Sequence, residues 1–194
     1  MLSISVAVEG SPDQAAVLKI AQHLGLDVAH CWVKRGKGNL DKSLAGYNDA
    51  ARFSPWLVLR DLDTDADCAP ELIGRLLPNP APRLAFRLAV RQVEAWFLGD
   101  AERLGHFLGV PRKLIPSAPE QLLDAKASIV QLAARSQKKD IRLDMVPFAG
   151  SKANEGPAYA SRMSEFAVSA WRPEAAAERC DSLKRCIERL KKLR

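Results

Sequence analysis

Acidic side chains gather at two points in the first third of the chain. Glu9 stands with Gly10 directly after the apolar run SISVAV, and Asp61 and Asp63 stand directly after the run WLVLR. Carboxylates are hard oxygen donors. Two or three of them suffice for Mg²⁺ or Mn²⁺, which keep waters and substrate phosphates as their other ligands. Such a site suits hydrolysis or transfer at phosphorus. Asp61 and Asp63 are two residues apart, so on extended backbone their side chains point the same way. Taken singly, each acid reads as structural, because Asp and Glu after a strand commonly form turns or cap helices. The combination points to a metal site. Two other acidic patterns fail. Asp61, Asp63, Asp65 and Asp67 begin like a calcium-binding loop, but Ala66 stands in place of the turn glycine and Leu72 in place of the closing glutamate. A phosphoaspartyl hydrolase would carry its D-x-D after the first strand of the core, with Thr or Val where this chain has Asp65.

These acids need strands to carry them. Residues 3–8 alternate and are rich in β-branched side chains, as a strand would be. Ser11-Pro12-Asp13-Gln14 reads as a helix start, with Ser11 capping, Pro12 in the first turn and Gln14 completing a capping box. Ala16, Val17, Ile20, Ala21 and Leu24 supply its apolar face, and Gly25 ends it. A second strand follows over 27–33, then a helix capped by Asn39 and running to about Ala51, and a buried third strand over 56–60. A short helix fits 70–77. Pro78, Pro80 and Pro82 break the chain. A fourth strand over 83–90 and a helix over 91–98 come next. The remainder reads as helices over about 100–108, 118–136 (with Ser117 and Glu120 as a capping box), 155–170 and 173–192. The fold class is therefore α/β, a mostly parallel four-stranded sheet flanked by helices with an α-rich C-terminal part. Residues 1–100 form the core and 101–194 a helical extension packed on it.

The bulk composition agrees. The chain has 194 residues, 47% hydrophobic, enough to bury a core without disulfides or a structural metal. Its four cysteines show no metal-ligand spacing and read as packed thiols in a reducing compartment. No apolar run approaches the ~18 residues of a membrane span, and the N-terminus reads as a strand, so the expectation is a cytoplasmic protein with no membrane partner. The net charge of +6 favours polyanions such as nucleic acid. The loop Lys34-Arg35-Gly36-Lys37-Gly38 could grip phosphates; a solvated turn accounts for it equally. Arg83, Arg87 and Arg91 recur every four residues and would share one face of a strand. Glu94 is either a further metal ligand or an ion-pair partner of Arg91. Lys126 and Lys152 are candidates for a lysine that stabilises a transition state. The last helix has Leu183, Ile187, Leu190 and Leu193 on one face, with Lys184, Arg185, Arg189, Lys191, Lys192 and Arg194 around the rest, as a docking helix with a solvated basic face would; nucleic-acid binding is the alternative. His23, His30 and His106 have no ligand spacing.

Val8-Glu9-Gly10 with Asp13, followed by a buried strand ending Asp61-Leu62-Asp63, resembles the Toprim domain of topoisomerases, bacterial primases and nucleases of the overcoming-lysogenization-defect type. The stretch Arg91-Gln92-Val93-Glu94-Ala95-Trp96-Phe97-Leu98-Gly99-Asp100 resembles an R-x-x-E-x-W-hydrophobic-x-x-D pattern of uncharacterised bacterial Toprim-related proteins, and the likeness extends weakly to Ser182–Cys186. The resemblance implies Mg²⁺ (or Mn²⁺) chemistry at phosphodiester bonds, with Glu9 as general acid/base and Asp61 and Asp63 holding the ion. It also implies a nuclease in a bacterial defence or DNA-maintenance module, its ATPase on a separate chain; Glu94 as an added ligand and Lys34, Arg35, Lys37 and Arg91 as phosphate contacts are candidates from the residues alone. No tyrosine-bearing topoisomerase domain or primase body fits in this length. The alternatives are a non-catalytic Toprim-fold protein that partners an ATPase or nucleic acid, and a small-molecule phosphotransfer enzyme. Oligomeric state is not legible.

Overall fold

Alternating side chains in the strands separate two apolar cores. Ile4, Val6 and Val8, with Leu57 and Leu59, enter one; Ala7, Trp56 and Val58, with Leu84, Phe86 and Leu88, enter the other. A sheet with both faces apolar must be covered on both sides. A computed structural model, which describes residues 2–193, shows how. Strands β1 (Ser3–Val8), β2 (Asp27–Val33), β3 (Trp56–Asp61) and β4 (Leu84–Ala89) form one sheet of order β2-β1-β3-β4, and every pairing is parallel. Helices α2 (Lys37–Ala50) and α3 (Ala69–Leu76) cover the second core through Leu40, Leu44 and Leu72. The first core is covered by α1 (Ser11–Leu24), α4 (Val93–Gly99) and the later helices: α5 (Ala101–Leu108), α6 (Ala125–Ala134), α7 (Lys139–Met145), α8 (Tyr159–Ser169), α9 (Pro173–Ala177) and α10 (Asp181–Lys191). Its side chains run without interruption from Ile4 to Leu190, with α8 against α1 and α10 against β4. No helix among the described residues is long and apolar enough to cross a membrane.

The strands fall where alternation put them, but several helix boundaries move. Helix α1 is capped by Gly10, and Asp13 closes the cap by accepting the Gly10 N–H at 3.1 Å, so Ser11 and Gln14 do not form the expected box. Helix α2 starts at Lys37, two residues before Asn39, after a turn with Arg35 at φ 56° and Gly36 at φ 110°. The Asn39 amide donates instead to the Lys34 carbonyl. The helix expected over 118–136 is a 3-10 turn at Pro119–Gln121 followed by α6, which Asp124 caps through the Ala127 N–H. Glu120 makes no box with Ser117, because its carboxylate accepts the backbone N–H groups of Asp181 and Ser182. The helix expected over 173–192 breaks into α9 and α10 at Cys180, whose buried thiol donates to the Ala95 carbonyl. Helix α7 was not foreseen, since only Ile141 and Met145 of its seven residues are buried. The three spaced arginines do not form a stripe. Strand β4 ends at Ala89, Arg83 binds the Phe53 carbonyl, Arg87 is half-buried near Arg185 and Arg189, and Arg91 lies beyond the strand. Leu183, Ile187 and Leu190 of α10 are buried as expected, and Arg194 lies outside the described residues.

Candidate functional site

The chain leaves β1 toward β2 on one side and returns to β3 on the other. At such a switch point the connections diverge and leave a crevice at the C-terminal strand ends. Glu9 follows β1 and Asp61 ends β3, so both acids stand at this crevice. They are joined directly: the Asp61 N–H donates to Glu9 Oε1 at 2.9 Å. Asp61 Oδ1 accepts the N–H of Val93 at 2.9 Å, which seats the start of α4 and with it Glu94. Asp13 enters from the first turn of α1.

Asp63 arrives by another route. The extended backbone expected through 61–63 stops at Asp61, and Asp63 has φ 49°, a left-handed conformation that Asp tolerates better than most residues. Arg91 locks this turn from both sides. The Asp63 N–H donates to the Arg91 carbonyl at 2.8 Å, and Arg91 Nη1 donates to the Asp63 carbonyl at 2.8 Å.

The five carboxylates of Glu9, Asp13, Asp61, Asp63 and Glu94 line one cavity of about 390 Å³, with Lys126 and Tyr159 on its other wall. Burial raises Glu9 above the ordinary carboxylate range, aided by Asp63 and opposed by the Asp61 amide and Arg60. Burial, then the charges of Glu94 and Glu9, push Asp13 up to about 8. Asp61 is raised well above its ordinary value by burial and by Asp13, Glu94, Glu9 and Asp63. Glu94, 2% exposed, is raised by burial against the pull of Lys126. Asp13 is 5% exposed, and its Oδ1 has no hydrogen-bond partner among the described residues. A buried carboxylate oxygen without a donor is costly unless a proton or a cation meets it.

Few cations compensate. Lys126 Nζ lies 3.0 Å from Glu155 and 3.9 Å from Glu94. Burial opposes its charge, but Glu94, Glu155 and Asp61 outweigh that and raise its pKa. Lys37 bonds Asp63 and Asp65, each at 2.9 Å. Arg60, 3% exposed, is spent on Asp41, Asp65 and the Asp61 carbonyl, not on the Glu9 or Asp61 carboxylates. Among the described residues no three His, Cys, Asp or Glu side chains stand already arranged to hold a metal ion. The donor set is nonetheless all hard oxygen, and the unpartnered Asp13 oxygen fits a divalent cation of the Mg²⁺ or Mn²⁺ kind.

Sequence reasoning assigned no role to Asp13 or Tyr159. Asp13 sits four residues after Glu9, a spacing that one helix start turns into convergence. Tyr159 carries no local signal; its hydroxyl reaches Glu94 at 3.4 Å only because α8 crosses α1. Of the two candidate lysines, Lys126 borders the cavity, while Lys152 is exposed in the loop before α8 and is not in its lining. Lys34 and Arg35 flank the cavity through Gly36 without entering it. A larger cavity, about 640 Å³, opens between the 119–121 turn and helices α9 and α10. Acids and bases alternate around it, and Glu120, which borders it, is committed to Ser182, so it offers no comparable chemistry.

No protein-family model matches the chain, and no curated protein matches it in sequence. Among solved structures, the C-terminal region of the Burkholderia pseudomallei OLD protein is similar to it over 99% of this chain and 98% of that one, at 14% identity and a TM-score of 0.47. At that distance the chemistry must be read from the side chains themselves.

Proposed function

We propose that the chain is a Toprim-like, divalent-metal-dependent enzyme acting on phosphodiester bonds, a nuclease. The observation that supports it is the convergence of five carboxylates from four chain segments on one cavity, with burial and mutual repulsion raising Glu9, Asp13, Asp61 and Glu94. A structural role does not require such crowding, and perturbed carboxylates in a cleft are a hallmark of sites that bind cations or move protons. Asp61, Asp63 and Asp13 would hold the ion, with Glu94 and Glu9 at its margin. A bound Mg²⁺ or Mn²⁺ supplies charge against the phosphate oxygens and acidifies a water. Glu9, raised above its ordinary value by burial, would hold or pass a proton. Lys126 opposes charge on the phosphate from the far wall. Lys37 holds Asp63 Oδ2 and would compete with the ion for that oxygen.

The non-catalytic alternative draws on that same Lys37–Asp63 pair, which already gives Asp63 a charge partner. Two measurements separate the readings. Cleavage of labelled DNA and RNA with Mg²⁺ or Mn²⁺ is expected for the wild type, with loss of at least about 100-fold in Asp61→Ala and Glu9→Gln, the scale of removing a positioned acid or base. Crystals soaked in Mn²⁺ are expected to show anomalous scattering among Glu9, Asp13, Asp61 and Asp63. An accessible site without Mn²⁺ and a chain without cleavage would leave the scaffold reading in its place.

A further inference from the structure

The loop from β2 to α2 borders two cavities. Gly36 lines the acidic one, while Lys34 and Arg35 line a second of about 390 Å³ beside Trp32. Lys42, Asn39 and Ser43 of α2 complete that second lining, and it contains no acid. None of Lys34, Arg35 and Lys42 makes an ion pair among the described residues, whereas Lys37 is paired with Asp63 and Asp65. The positive charge at this end of the loop is uncommitted.

Trp32 is the exposed tryptophan of the four, at 40%, against 7% for Trp56, 0% for Trp96 and 1% for Trp171. It belongs to a row of rings, and exposed His30 leans against it with centroids 5.3 Å apart and 49° between the planes. Tyr47 stacks on Trp56 with centroids 4.9 Å apart, and Trp56 stacks on Trp32 at 5.0 Å with 17° between the planes. The small residues Ser5 and Ala7 of β1 lie between the two tryptophan strands, which lets the rings lean together across β1. An aromatic stack that ends in solvent, ringed by unpaired cations, combines a π face for an unpaired base with charge for its phosphates. A duplex, whose bases are already stacked and paired, cannot use the ring.

We propose that Trp32 with Lys34, Arg35 and Lys42 is a subsite for single-stranded nucleic acid, in which an unpaired base continues the Tyr47–Trp56–Trp32 ladder and the backbone follows the loop toward the carboxylate cavity. The subsite rests on the phosphodiester reading of that cavity and adds the form of its substrate.

The test is binding without turnover. The fluorescence anisotropy of dye-labelled short oligo(dT) and oligo(rU) is followed as the full chain is added in EDTA. Saturable binding is expected, weakened about ten-fold in Trp32→Ala, the scale of one base stacked on an aromatic ring, and largely restored in Trp32→Phe. Lys42→Ala, at an exposed helix position, is expected to fold normally and to lower the slope of log affinity against log salt by about 0.7. Tighter binding of one strand type identifies the substrate as DNA or RNA. Wild-type affinity in both Trp32→Ala and Lys42→Ala, or duplex binding as tightly as a single strand, would overturn the subsite. The two ideas fail separately: Trp32-dependent binding without metal-dependent cleavage removes the nuclease, and cleavage with Trp32-independent binding removes the subsite.

Discussion

Asp13 concentrates the electrostatic problem of the cavity in one side chain. One oxygen caps α1 through the Gly10 N–H, and the other is buried with no donor among the described residues. Its folded pKa stands near 8 against an ordinary 3.8. The folded state therefore binds more protons than the unfolded one between these values, and stability falls as pH rises from about 4 to about 8. Melting temperature in metal-free buffer is expected to drop across that range. Asp13→Asn keeps the capping oxygen and is expected to flatten the drop; an unchanged pH profile in this variant would place the titration elsewhere. Lys37 sets the second residue-scale expectation. Because it bonds Asp63 at a half-exposed position, it competes with any cation for that carboxylate. Mn²⁺ binding followed by calorimetry is expected to tighten in Lys37→Ala by up to about five-fold, the scale of an exposed ion pair.

Among the elements, α4 is the one on which the site turns. Each residue of the Arg91–Asp100 pattern has a distinct task. Arg91 locks the Asp63 turn, and Glu94 faces the cavity. Trp96 donates its indole N–H to Ser182 Oγ at 2.7 Å, and that hydroxyl also bonds Glu120. Asp100, 2% exposed, accepts from the Arg172 side chain and backbone. Ser182→Ala would strand the buried indole and is expected to cost about 2 kcal/mol, measured by urea denaturation. Gly99 marks where α4 meets α9. A Cβ there would stand 2.8 Å from both the Ala176 carbonyl and Cys180 Sγ. Gly99→Ala is therefore expected to cost about 1–3 kcal/mol as the helices separate, and, by shifting Glu94, to weaken Mn²⁺ binding as well.

At the scale of the whole molecule, folding forces five acids together and a bound cation would relieve them. A ligand that binds only the folded state at 100 times its dissociation constant adds about 2.7 kcal/mol, and each kcal/mol raises the melting temperature of a chain this long by about 2–4 °C. Saturating Mn²⁺ is expected to raise it by about 5–10 °C in the wild type and hardly at all in Asp61→Asn. Equal shifts in both would mean that the ion binds somewhere other than this cavity.

Local information settled a good deal. Alternation in SISVAV and the apolar run of WLVLR located the strands, and strand ends followed by Glu9 and Asp61 located two of the acids, because hydrophobic periodicity and chain direction are properties of short segments. Capping was less legible. Asp13, not Ser11 or Gln14, closes α1, and Glu120 caps nothing locally because α10, 61 residues later, claims it. What the sequence by itself determined is a parallel α/β sheet with carboxylates at its strand ends. Only the tertiary structure decided that β1 lies beside β3, so that Asp61 touches Glu9, that α1, α4, α6 and α8 bring Asp13, Glu94, Lys126 and Tyr159 to one cavity, and that Trp32 stands at the open end of an aromatic stack. Apart from Asp13, which follows Glu9 closely, those neighbours are tens to more than a hundred residues apart, and their contact is set by the order in which strands pair and helices pack to bury two cores, which no short segment encodes.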